Sequence, residues 1–171
     1  MLARTAITRR NVLAALGAGG AVAALGLPLR AGELAEGDFP YELSPAKWRE
    51  KLTDMEYYVL REGGTERAFT SPLNEEKRRG VYRCAGCDNR VYTSATKFDS
   101  GTGWPSFYAP VEDGVGYSDD RSLMMVRTEV HCARCGSHLG HVFDDGPPPT
   151  GKRHCINAVA LDFRPVPNGD A

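Results

Sequence analysis

Two kinds of hydrophobic patterning divide the chain. From Ser44 to about Arg61, apolar residues recur at helical spacing behind two start signals. Ser44-Pro45 supplies an N-cap followed by proline at the first helical position, with Trp48 and Leu52 on one face. Thr53-Asp54-Met55-Glu56 reads as a capping box, so a second short helix should run to about Arg61 and end at Gly63-Gly64. Both helices are expected to pack on the domain as a lid. From Ser71-Pro72 to Gly80 the chain is charged and rich in turns, and Lys77, Arg78 and Arg79 read as a solvated loop. Beyond Gly80, short alternations of apolar and polar residues between turns predict strands at 81–83, 90–93, 106–111, 115–118, 123–130 and 140–143. A last, long strand is expected over 153–163, and Asp113-Gly114 is a hairpin signal. Met124-Met125 reads as strand packing.

Composition and charge refine this picture. The chain has 171 residues, enough for one domain with a real core, and its 19 Gly and 11 Pro suit short strands and many turns. The formal net charge of −1 is unevenly spread. Residues 1–31 hold Arg4, Arg9, Arg10 and Arg30 and no acid, so the remainder carries 17 of the 21 bases against all 22 acids. So acidic a body is a poor match for phosphate backbones, and no nucleic-acid partner is expected.

The N-terminus looks like an address. Thr8-Arg9-Arg10-Asn11-Val12-Leu13 leads into an uncharged run from Val12 to Leu29, rich in Ala, Gly, Leu and Val. Paired arginines before a modestly apolar segment resemble a twin-arginine export signal, which implies a periplasmic protein. A membrane anchor is the rival, since the run is near the lower limit for spanning a bilayer. The organisation expected is a signal over 1–31, a linker over 32–43, a domain over 44–165 and a tail over 166–171.

Five cysteines carry the chemistry. Cys84-Ala-Gly-Cys87 and Cys132-Ala-Arg-Cys135 are two CxxC pairs separated by 44 residues. Each such turn brings two thiolates together, and two turns complete a tetrahedron suited to a closed structural zinc site. Iron would fit the same ligands, and two disulfides are the alternative in an oxidising compartment.

Cys155 is then the odd thiol. On a strand from Arg153, the residues Arg153, Cys155 and Asn157 share one face, while His154, Ile156 and Ala158 share the other. An arginine two residues from the thiol should lower its pKa. If 141–145 is extended, His141, Phe143 and Asp145 share a face, offering an imidazole with an orienting carboxylate, and His138 lies just before. These residues also permit a cysteine hydrolase, with His141 as base and Asp145 or Asn157 orienting it. A zinc-stapled binding module without activity is a third possibility.

Taken in order, the motifs Cys84–Cys87, Thr96–Gly101, Gly103-Trp104-Pro105-Ser106-Phe107, Cys132–Phe143, Asp145-Gly146-Pro147 and Arg153–Asn157 resemble the methionine-R-sulfoxide reductases. The resemblance runs from about Ser44 to Phe163. It implies a mainly β domain of two antiparallel sheets with short N-terminal helices, a structural zinc on the four paired cysteines, and Cys155 as nucleophile. It places the substrate pocket at Trp104, whose indole can face the sulfoxide methyl, and at Phe107. His138, His141, Asp145, Arg153 and Asn157 match the family's polar active-site set. The implied partners are oxidised proteins or peptides and a thioredoxin-like or other thiol reductant, acting on a monomer.

This sequence departs from the family pattern twice. Many members carry a resolving cysteine between the glycines of the GxGWPSF stretch, where this chain has Thr102. A one-cysteine enzyme recycled by an external thiol is therefore expected. His154 stands where tyrosine or phenylalanine is usual, and alternation turns it away from Cys155. It should alter packing and leave the chemistry alone.

Overall fold

In the computed structural model, which describes residues 37–122 and 126–167 together with Ala35, the two helix-start signals act as the sequence suggests. Ser44 caps α1 (Pro45–Lys51) by accepting from the Lys47 N–H, and Trp48 and Leu52 are buried. Thr53 and Glu56 close a full capping box at the start of α2 (Asp54–Glu62), and Gly63 ends it in the left-handed region at φ 68°. Val59 and Leu60 of α2 are fully buried against the β-structure. Residues 1–31, expected to be an export signal, lie outside the described residues, as do Leu123, Met124 and Met125 of an expected strand and 168–171 of the tail.

Among the described residues, nine strands form two antiparallel sheets. β1 (Gly80–Cys84) is the centre of a three-stranded sheet, flanked by β2 (Arg90–Thr93) and β9 (Leu161–Pro165). The second sheet has six strands in the order β3 (Lys97–Phe98), β4 (Ser106–Phe107), β8 (Arg153–Ile156), β7 (His138–Phe143), β6 (Arg127–Cys132) and β5 (Val115–Asp120). Tyr82 and Tyr92 of the small sheet meet Phe107 of the large one, with Phe107 stacked on Tyr92 at 4.3 Å and edge-on to Tyr82 at 5.0 Å. Such aromatic pairs contribute packing and roughly 0.5–1.5 kcal/mol beyond their buried area.

Three expectations need correction. The strand expected over 106–111 stops at Phe107, where Tyr108 turns to donate to Thr96 O and Pro110 has no N–H to continue a ladder. Asp113-Gly114 makes a turn, with Asp113 at φ 53°, but it joins no hairpin. β4 and β5, on either side of it, belong to opposite parts of the sheet. Most important, 153–163 is not one strand. β8 ends at Ile156, residues Ala158–Ala160 form a 3-10 turn, and β9 then pairs with β1 in the other sheet. The chain must change sheets there, so strict alternation fails after Ile156.

His154 points into the core, as alternation across β8 requires. It pairs in register with Phe107 and hydrogen-bonds the buried Tyr92 hydroxyl through Nδ1 at 3.1 Å. Burial holds the imidazole pKa down at about 4. Between pH 6.5 and 4 the unfolded chain takes up a proton that the folded chain refuses. Folding stability should therefore fall as pH drops through that window, by on the order of 3 kcal/mol in total. His154→Phe is expected to flatten this slope in urea titrations at several pH values. It should also cost about 1–3 kcal/mol at pH 7, because the Tyr92 hydroxyl loses its partner.

Candidate active site and metal centre

The two CxxC turns are built alike. Cys84 N–H donates to Asn89 O and Cys132 N–H to Ser137 O, each at five residues' separation, while Asp88 and Gly136 N–H return to the first cysteine's carbonyl. The residue after each second cysteine, Asp88 at φ 60° and Gly136 at φ 65°, is left-handed, which closes the turn. One turn ends β1 of the small sheet and the other ends β6 of the large sheet.

The four sulfurs converge. Cys84 and Cys135 Sγ are 3.7 Å apart, Cys87 and Cys132 Sγ 3.6 Å, and all four lie within 4.8 Å of one another. A disulfide needs about 2.05 Å, whereas a tetrahedron of sulfurs about 2.3 Å from a central ion has edges of roughly 3.8 Å. The spacing fits an ion, and all five cysteines are free thiols here. The electrostatics point the same way. Four sulfurs held this close in a buried site oppose one another's ionisation, which pushes the Cys84 and Cys87 pKa values up, and a cation among them would relieve it. Asn89 Nδ2 donates to Cys132 Sγ, and Arg61 Nη1 ties α2 to Cys135 O at 3.0 Å.

Cys155 lies elsewhere, on the face of the large sheet turned away from the aromatic core. Register sets Ser106, Cys155, His141, Glu129 and Ser118 in one row across β4, β8, β7, β6 and β5. Directly paired antiparallel residues stand about 4.5–5.5 Å apart at Cα, so His141 is Cys155's immediate neighbour. Sequence order concealed this row, because its members come from five strands.

Both candidate histidines are held by buried carboxylates that the sequence reading missed. His138 Nδ1 meets Glu129 Oε1 at 2.7 Å, and Ser118 Oγ donates to the other Glu129 oxygen at 2.6 Å. His141 Nε2 meets Asp120 Oδ2 at 2.7 Å, and Arg127 Nη2 donates to the same oxygen. The carboxylates are about 1% exposed. Burial alone would raise both. Hydrogen bonds from Ser122, His141 and Arg127 instead hold Asp120 well below the usual carboxylate range, and those from His138 and Ser118 lower Glu129. Burial in turn lowers His141, so it rests as a neutral imidazole with Asp120 fixing its tautomer. The two rings are 5.3 Å apart, and His138 Nε2 is buried without a hydrogen-bond partner among the described residues.

Asp145 is not the orienting acid for His141. It grips Arg153 through two bonds of 2.8 and 2.9 Å, and the Arg153 guanidinium also lies over the Phe143 ring at 4.5 Å. The Arg153 charge favours the Cys155 thiolate, but burial outweighs it and raises the Cys155 pKa, the reverse of the sequence expectation. Thr102 reaches Cys155 too, with Oγ1 at 3.9 Å from Sγ.

Asn157 turns away from the row because β8 has ended. Its Nδ2 donates to Leu139 O and its Oδ1 accepts the Glu66 N–H. Glu66 is a hub that no sequence signal marked. Its carbonyl accepts the Trp104 indole N–H at 3.2 Å, and its carboxylate caps the Ala158 and Val159 N–H groups. Trp104 is thus held beside the loop carrying Thr102. Phe107 sits in the aromatic core on the other face from Cys155 and cannot touch a ligand there.

A mainly β fold whose two sheets meet at four clustered cysteines spaced for a metal ion, with a separate thiol paired across from a histidine, marks a thiol protein with a candidate structural metal centre. A SelR domain model matches residues 52–165, and the chain belongs to that family. It is 56% identical over 124 residues to a peptide methionine sulfoxide reductase MsrB of Agrobacterium fabrum, covering 72% of this chain and 92% of the relative. It is 58% identical over 120 residues to the MsrB of Pseudomonas putida strain W619, covering 70% and 90%. The MsrB of Methanosarcina barkeri is 54% identical over 129 residues, covering 75% and 91%.

The two kinds of ion pair should respond differently to loss of charge. Asp120→Asn strips buried partners from Arg127 and His141 and is expected to cost about 3–5 kcal/mol in urea unfolding. Asp145→Asn, at an exposed pair, should cost under about 1 kcal/mol.

Proposed function

We propose that this protein is an oxidoreductase that reduces the R epimer of methionine sulfoxide in oxidised proteins and peptides, with Cys155 as nucleophile. The observation that carries the reading is the half-buried Cys155 thiol, free of the metal cluster and standing directly across from His141. Membership of the SelR family and the names of the MsrB relatives support the reaction class.

The chemistry follows from what the row offers. The thiol proton passes to neutral His141, whose imidazolium is stabilised by Asp120, and the Cys155 thiolate attacks the sulfoxide sulfur. The attack forms an S–S bond between Cys155 and the substrate. The imidazolium returns the proton to the sulfoxide oxygen as the S–O bond breaks, releasing hydroxide. Hydroxide then attacks the Cys155 sulfur, and the S–S bond breaks with its electron pair on the substrate sulfur. Cys155 is left as sulfenic acid and the substrate as methionine, reduced by two electrons. Two equivalents of external thiol then restore Cys155, releasing water and a disulfide. Trp104 is the wall for the substrate's methyl, and Arg153 steadies negative charge at sulfur.

The other parts of the proposal complete the enzyme. Cys84, Cys87, Cys132 and Cys135 would hold one structural zinc, chosen over iron because four sulfurs in a closed site suit it. Residues 44–165 form the catalytic domain of a monomer, between a linker over 32–43 and a tail over 166–171. The paired arginines and apolar run of residues 1–31 are read as an export signal for the periplasm, where folding and metal loading would precede transport.

Purified enzyme with a dithiol should consume only the R epimer of a blocked methionine sulfoxide, and Cys155→Ser should abolish turnover while retaining metal. Consumption of the S epimer alone would reject the assignment. Acyl hydrolysis, which Cys155, His141 and Asp120 could also support, needs no thiol, so a strict thiol requirement separates the two. After one equivalent of substrate without reductant, intact mass should show one added oxygen at Cys155 and no disulfide. Metal analysis should give one zinc per chain, and stripping it should abolish cooperative unfolding.

A further inference from the structure

A chain of three hydroxyls ends on the Cys155 sulfur, and counting its hydrogens shows what it can do. Ser106 Oγ donates to Trp104 O at 3.2 Å, Ser100 and Ser106 Oγ are 2.7 Å apart, and Ser100 Oγ and Thr102 Oγ1 are 2.9 Å apart. Thr102 Oγ1 then stands 3.9 Å from Cys155 Sγ. Each hydroxyl owns one proton. With Cys155 as a thiol, every proton can point the same way, from S–H through Thr102, Ser100 and Ser106 to the Trp104 carbonyl. With Cys155 ionised, the Thr102 hydroxyl turns to donate to sulfur, Ser100 to Thr102 and Ser106 to Ser100. Three protons then serve three contacts, and the one bond given up is that from Ser106 to the Trp104 carbonyl. A terminal main-chain carbonyl cannot accept the proton itself, so the chain solvates and does not conduct.

We propose that Thr102 is a further catalytic residue, whose hydroxyl donates to the Cys155 thiolate and is aimed by Ser100 and Ser106. It acts where burial opposes ionisation, and a donor to an anion is the strongest help a neutral group gives. The contact is long in the resting thiol form and shortens as charge develops on sulfur. Ser106 fixes the far end because it is fully buried and pairs in register with Cys155 itself. The charged or titratable groups facing Cys155 are Arg153 with its partner Asp145, and His141 with Asp120. Asp99, at the start of the loop, spends an oxygen on the Gly101 N–H. None of these is removed by changing a hydroxyl, so a Thr102 effect can be read separately from theirs.

The inference rests on Cys155 being the reacting thiol, but its test does not need turnover. In the full-length, metal-loaded protein, iodoacetamide alkylation of Cys155 is followed by peptide mass across pH. Thr102→Val is expected to shift the alkylation midpoint upward by about one pH unit and to slow the reaction at pH 7 about tenfold. Thr102→Ser should restore the wild-type midpoint, and Ser100→Ala should give an intermediate upward shift. An unchanged midpoint in folded Thr102→Val, or no rescue by serine, overturns the proposal. Should Thr102→Val not fold, Ser100→Ala decides: an upward shift supports the chain and an unchanged midpoint rejects it. Variants that show these shifts while the wild-type protein reduces no sulfoxide would sink the proposed reaction and leave the thiol assignment standing.

Discussion

The meeting of two strand ends at four thiols is the constraint on which the architecture depends. Cys84 ends the central strand of the small sheet and Cys132 ends β6 of the large one, and both sulfurs must lie within a few ångströms of their partners. That requirement fixes where β6 stands relative to β1. β6 in turn carries Glu129, and its pairing with β7 sets His138 and His141. The staple is thus remote from Cys155 yet sets the register of the residues facing it. A one-residue slip of β6 would send Glu129 to the core face and leave His138 Nδ1 without an acceptor.

A second constraint is the change of sheets after Ile156. The same segment must deliver Cys155 to one sheet and Phe163 to the other, and the 3-10 turn at Ala158–Ala160 makes the transfer. The N–H groups of its first two residues have no partner within the turn and need acceptors, which Glu66 supplies. Because Glu66 also receives the Trp104 indole and donates its own N–H to Asn157, one loop residue ties the crossover to Trp104. The raised pKa of Glu66 reflects the burial that this bridging position imposes.

These two constraints explain what was legible in the chain. The helices were readable because Ser44-Pro45 and the Thr53–Glu56 capping box are local signals, complete within four residues. The cysteine cluster was readable because each CxxC turn is local and only two such turns exist. Asn157 was misplaced because alternation holds only while a strand continues, and the sheet change is a long-range event. Phe107 was misassigned because β4 is two residues long, too short for its pattern to reveal a face. Asp120 and Glu129 carried no mark at all. An acidic residue on an edge or next-to-edge strand looks solvated until register places a histidine opposite it.

The missed carboxylates also change how Cys155 should be understood. From sequence, Arg153 looked like the source of a low pKa, with a nearby acid left to orient a histidine. In the fold, Asp145 engages Arg153 from the solvent side, and the thiol is buried enough that its pKa rises. In the proposed reaction, a resting thiol needs a base and a place for its charge at the moment of attack. The candidates are a neutral His141 backed by Asp120, paired across from Cys155, and the hydroxyl of Thr102, 3.9 Å from its sulfur. On the proposed reading, such a site would keep its sulfur protonated until a substrate arrives, which suits a thiol that shares a chain with four others placed to hold a metal. Reactivity would then be confined to Cys155 by geometry around the sulfur and not by a permanently ionised thiolate.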